Sequence, residues 1–105
     1  MKLIMAIMHN DDTQDTIAEL NKCGYHSTKV ASTGGFLSSG NTTLIIGVED
    51  EKASDVIRII SENGKVRSQY VPTNIYPSLE VGGTIKVQTG GATIFVINIE
   101  QFIQV

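Results

Sequence analysis

"YHSTKVASTGGFLSSGNTTLIIGVE", residues 25–49, decides the fold. Two runs rich in β-branched residues, 25–33 and 41–49, flank a loop of glycine, serine and asparagine. The stretch reads as two antiparallel strands joined by a long hairpin tip. What lies on either side reads as helix. Upstream, "TQDTIAELNKCG" places Thr13, Ile17, Leu20 and Cys23 on one face at helical spacing. Asp12 is a suitable N-cap, Asp15 sits near the positive end of the helix dipole, and Gly24 can end the helix in the left-handed conformation. Downstream, Asp50 caps a second helix that runs to about Asn63, with Ala53, Val56, Ile57 and Ile60 at i, i+3, i+4, i+7. Gly64 closes it.

Working outward, "KLIMAIM", residues 2–8, is a short, nearly continuous apolar run that fits a strand buried on both faces. "KVRSQYV" reads as a short strand or extended arm, and "PTNIYPSLEVGG" carries both prolines and reads as a loop. "TIKVQ" and "GGATIFVINIEQFIQV" supply closing strands, with Ile94, Val96 and Asn98 facing one way and Thr93, Phe95 and Ile97 the other. The order is βαββαβ. The expected architecture is an α+β ferredoxin-like sandwich, two helices on one face of a mainly antiparallel sheet, with extra short strands near the C-terminus. Its strands are apolar on both sides, so the face away from the helices needs a cover, and a second copy of the chain is the expected one.

Bulk properties narrow the function. The 105 residues, 41% hydrophobic and 18% charged, suit one folded domain. A formal charge of -3 argues against broad nucleic-acid binding, which needs a basic patch. No apolar run reaches the roughly 20 residues of a membrane span, and the apolar start lacks a cleavage site, so a cytoplasmic protein is expected. The single Cys23 excludes an internal disulfide and is expected to pack as a small hydrophobe on its helix.

No catalytic constellation is apparent, and the chain is not expected to be an enzyme or to need a cofactor. His9 with Asp11 or Asp12 reads as a solvated turn, and Cys23 with His26 gives two ligands where a zinc site needs four. The glycine pairs Gly34-Gly35, Gly82-Gly83 and Gly90-Gly91, each next to a threonine, can present backbone amides to an anion or can serve as hairpin tips and bulges. Phe36 beside one pair has two open roles: a stacking face for a purine, or a plug in the core or a subunit contact.

With these residues assembled, the sequence resembles the PII-like signal-transduction proteins of the PstA type, the cyclic di-AMP receptors of Gram-positive bacteria. "KLIMAI", "TKVASTGGFLSSGNTTLIIGVED" and "GGATIFV" stand in the family's order and span nearly the whole chain. The resemblance implies a single PII-like domain over residues 1–105 and a homotrimer with ligands in the clefts between subunits. Carried over by position, Thr28 would hydrogen-bond the ligand. Gly35, Phe36 and Leu37 would form the adenine pocket with Phe36 stacking. Asn41 would contact the base or sugar-phosphate, and Gly47 would leave room. Phe95 and Gln104 would approach from across the interface. A downstream protein partner is implied, of unknown identity.

Departures accompany the likeness. Gly24 and His26 stand where the family commonly has asparagine and arginine, so a titratable residue replaces a permanent cation. Losing a charge-assisted bond to phosphate costs about 1.5–3 kcal/mol, roughly ten- to hundredfold in affinity. "FIQV" replaces an ending that usually holds a histidine and a phenylalanine, and the segment 71–86 is shorter than the corresponding long loop of the superfamily. Two alternatives therefore stand beside a cyclic di-AMP sensor: a divergent paralog for another adenine nucleotide such as AMP or ATP, and a trimeric metal-binding or interaction protein.

Overall fold

The computed structural model describes residues 1–30, 40–72 and 84–105. Its elements are β1 (Lys2–His9), α1 (Asn10–Lys22), β2 (Thr28–Val30), β3 (Asn41–Val48), a 3-10 turn (Asp50–Lys52), α2 (Ala53–Asn63), β4 (Arg67–Pro72), β5 (Thr84–Thr89) and β6 (Ala92–Asn98). Four strands form an antiparallel sheet in the order β2-β3-β1-β6, and β4 pairs with β5 in a separate two-stranded sheet. Two helices packed on a four-stranded antiparallel sheet make this an α+β, ferredoxin-like βαββαβ arrangement, with an arm inserted before the last strand.

The sheet's two faces differ. On the helix side, Ile4, Ala6 and Met8 of β1 and Leu44, Ile46 and Val48 of β3 meet Leu20, Val56, Ile59 and Ile60 in a closed core. Each fully buried aliphatic side chain there contributes about 1.5–3 kcal/mol. The opposite face carries Leu3, Met5, Ile7 and Ile45, all half-buried, together with Val30, Phe95 and Ile97, which are exposed. The register aligns them in rows: Phe95 opposite Met5, Met5 opposite Ile45, and Ile45 opposite Thr28. The expected burial of β1 on both faces is thus met within the chain on one face only.

Several local expectations need correction. Helix α1 starts at Asn10, not after Asp12: His9 is the N-cap, its Nδ1 accepting the Asp11 amide at 3.2 Å. Asp12 is buried in the first turn because the Arg67 guanidinium donates to it at 2.7 and 3.2 Å. Cys23 is exposed rather than packed, since the helix has already turned away. The Gly24 amide donates to the Asn21 carbonyl at 3.0 Å and the Tyr25 amide to the Leu20 carbonyl at 2.8 Å. That is a Schellman ending, with Gly24 at φ +84. Asp50 does not cap the second helix. It receives the Met1 amine at 2.7 Å, which holds its carboxyl below the usual range.

The closing strand is β6 alone. "TIKVQ" lies in β5 and pairs only with β4, so it extends the arm and not the main sheet. The last strand ends at Asn98, leaving 99–105 without regular structure. Pro72 ends β4 rather than opening a loop. The described part of the first hairpin strand is short, Thr28–Val30, because the Schellman turn occupies the residues before it. At the arm's base Gly90 has φ +86, and a Cβ there would lie 2.5 Å from the Lys65 carbonyl oxygen. Of the three glycine pairs, this one is a crossing point of the backbone. The other two lie outside the described residues.

Candidate functional site

The Schellman turn brings the chain from α1 to the edge of the sheet and sets the strand that follows. Thr28 pairs with Ile45, and continuing that register places His26 across from Gly47. A cavity of about 540 Å³ opens at this corner. Cys23, Gly24, Tyr25 and His26 form one wall, Gly47, Val48 and Glu49 the other, and Met1 and Lys52 close it. The volume falls within the range of about 300–1,000 Å³ usual for small-molecule sites. Four separate stretches of chain meet here, two of them at element ends.

The two glycines of this cavity have different origins. Gly24 is required by its positive φ, and asparagine is the other residue that tolerates such a position. Gly47 is not required by the backbone. Its φ is not left-handed, and a Cβ would be 3.9 Å from Met1 Cε and 4.0 Å from Ile99 Cδ1, ordinary contact distances. Within one chain the fold would accept a Cβ at position 47, on the open face and at the cavity's lining.

One wall is fixed by a polar network. The Tyr25 hydroxyl donates to Asp55 at 2.8 Å, and Arg58 donates to Asp55 at 2.7 and 3.2 Å and to Glu62 at 3.1 Å. The Arg58 guanidinium, followed by the Tyr25 hydroxyl, holds the Asp55 carboxyl below the usual carboxylate range. The same bond to Asp55 raises the Tyr25 phenol above its ordinary value. The ring at the cavity edge is therefore tied to α2 as well as to the end of α1.

The other anticipated ligand residues are spread across the open face. Thr28 is exposed on β2, two residues along from His26. Phe95 lies in the same cross-strand row as Thr28 but on the far edge strand, with β1 and β3 between them. Three strand spacings separate them, about 14 Å. Asn41 opens β3 opposite His9, six residues from Gly47, or about 20 Å along the strand. It lines a second cavity of about 410 Å³ with Ile7, Gly90 and Thr93. Gln104 is exposed in the segment after β6. Gly35, Phe36 and Leu37 lie outside the described residues. The structure thus joins Gly24, His26 and Gly47, places Thr28 beside them, and sets Asn41 and Phe95 at other margins of the sheet.

Sequence reasoning missed Lys52 and Glu49 as cavity residues. Their signal was position: Glu49 lies two and Lys52 five residues beyond Gly47, at the strand-to-helix junction. Among the described residues no group of three or more His, Cys, Asp or Glu side chains is placed to hold a metal ion, and no helix is long and apolar enough to cross a membrane.

Fold and cavity together define an α+β, ferredoxin-like protein with a ligand-sized corner beside an uncovered apolar sheet. The family model described as cyclic-di-AMP receptor matches residues 1–105. The crystal structure of a functionally unknown protein from Pediococcus pentosaceus ATCC 25745 is 35% identical. Its match covers 99% of this chain and 96% of that one, with a TM-score of 0.80. The chain belongs to the cyclic-di-AMP receptor family. These are non-enzymatic receptors.

Proposed function

We propose that this protein is a cytoplasmic sensor, one PII-like domain over residues 1–105, that binds cyclic di-AMP in clefts between the subunits of a homotrimer. One observation carries the reading. His26 and Gly47, picked out as ligand residues by family position, line a single cavity with Gly24, and within one chain neither φ nor a close contact demands glycine at 47. Thr28 beside them supplies a neutral donor. Gly35, Phe36 and Leu37 complete the proposed adenine pocket, and Asn41 contacts the base or sugar-phosphate.

The trimer is supported by the uncovered face. Leu3, Met5, Ile7, Ile45, Phe95 and Ile97 form an apolar surface that a monomer would leave in water. Phe95 and Thr28 stand on opposite edges of one chain's sheet, so a ligand held closely by both takes them from two copies. Phe102, Ile103 and Val105 are likewise exposed and would find cover on a neighbour, bringing Gln104 with them. Ligand binding is relayed to a protein partner through the loops, the β4–β5 arm among them.

A panel of cyclic di-AMP, AMP and ATP in thermal-shift measurements tests the ligand. A ligand that prefers the folded state raises the melting temperature by mass action. Cyclic di-AMP should give the largest rise. A larger rise with AMP or ATP would favour the divergent-paralog reading, for which Gly24 and His26 are the specific grounds. Light scattering should return three times the 11.3 kDa chain mass.

A further inference from the structure

We infer that Lys52 is the phosphate-binding cation of the His26–Gly47 cleft, the residue that compensates there for the lack of an arginine. The inference deepens the nucleotide reading above and rests on it. Lys52 lines the cavity, and it is the cavity's one permanently charged side-chain cation. The Met1 amine is engaged by Asp50 at 2.7 Å.

A further observation points the same way. Among the described residues the Lys52 ammonium makes no ion pair, whereas Arg58 and Arg67 are each held by carboxylates. Glu49 shares the cavity and repels a phosphate, and Lys52 is the one permanently charged side chain of the lining that attracts it.

The test uses the full chain as wild type, Lys52→Gln and Lys52→Arg, each titrated calorimetrically with cyclic di-AMP at low and high ionic strength and melted without ligand. At low salt the Gln variant should bind about tenfold or more weakly, the range of a lost charge-assisted bond. Its affinity should fall less with salt than that of wild type. Lys52→Arg should retain wild-type affinity. The ligand-free Gln variant should melt no lower than wild type. A Gln variant matching wild type in affinity and salt dependence overturns the inference. So does one whose weaker binding comes with a lower ligand-free melting temperature, which would make Lys52 structural. A wild type that gives no binding overturns the nucleotide reading itself, and this inference with it.

Discussion

Gly90 and Gly47 stand at opposite ends of the sheet, and a methyl group would fare differently at each. At Gly90 the backbone is left-handed and a Cβ would strike the Lys65 carbonyl at 2.5 Å. At Gly47 the backbone is ordinary and the nearest atoms are 3.9 and 4.0 Å away. One glycine is demanded by the path of the chain, where the arm leaves the body. The other is tolerated at a cost, since glycine inside a strand is less favourable than alanine by roughly 0.5–1 kcal/mol. A glycine that the single chain's backbone does not demand, beside a cavity, leaves that corner free of a side chain. The comparison separates the region that holds the molecule together from the region that receives a ligand.

The largest effect should come at the arm base. Gly90→Ala forces an L-residue into a positive φ against a backbone atom and should cost about 2–4 kcal/mol. In thermal unfolding that lowers the midpoint by roughly ten degrees or more for a chain of this size. A neutral Gly90→Ala would break the contrast at once. Gly47→Leu should do the opposite: stability within about 1 kcal/mol of wild type, but cyclic di-AMP affinity reduced tenfold or more by occlusion. A destabilised Gly47→Leu that still binds would reverse the assignment of the two glycines.

A smaller effect is expected from the ion pair that pins the arm. Arg67→Met leaves the buried Asp12 carboxylate without its bidentate partner. Because Arg67 is 40% exposed, the cost is nearer about 1–2 kcal/mol than that of a fully buried pair. Hydrogen exchange should show the loss first in β4 and β5.

The smallest effect lies in the network behind Tyr25. The Asp55 carboxyl is depressed in the folded protein, chiefly by Arg58 and then by Tyr25. Its contribution is therefore present above the ordinary carboxylate value of about 3.9 and is lost as pH falls through the lower folded value. Below about pH 4 wild type should lose stability more steeply than Asp55→Asn, as read from urea midpoints across an acid series. Equal slopes would mean that this wall of the cleft is not held by charge.

Much of this architecture was legible because periodicity speaks to elements that bury one face. The runs 2–8 and 41–49, the helix face of Val56 and Ile60, and the alternation after Gly91 all became the elements they suggested. What escaped was pairing over distance. "TIKVQ" and "TIFVINI" alternate alike, and nothing local says that one joins the sheet while the other folds back on Arg67–Pro72. Asp12 has the chemistry of an N-cap, yet its carboxylate is claimed by Arg67, 55 residues away. Cys23 keeps the helical spacing of the core face but falls where the Schellman turn has begun. The cleft was legible in part: family likeness named His26 and Gly47, while Lys52 emerged only when separate segments met in space. Gly35, Phe36 and Leu37, on which the stacking role of Phe36 depends, lie outside the described residues and remain part of the proposal.

Isothermal titration of the wild-type chain with cyclic di-AMP bears most directly on the central claim. The cleft beside Gly47, completed by a second copy, predicts saturable heat with one ligand per chain, abolished or sharply reduced in Gly47→Leu. An absence of heat with protein in the tens of micromolar, or an unchanged isotherm for Gly47→Leu, would contradict it.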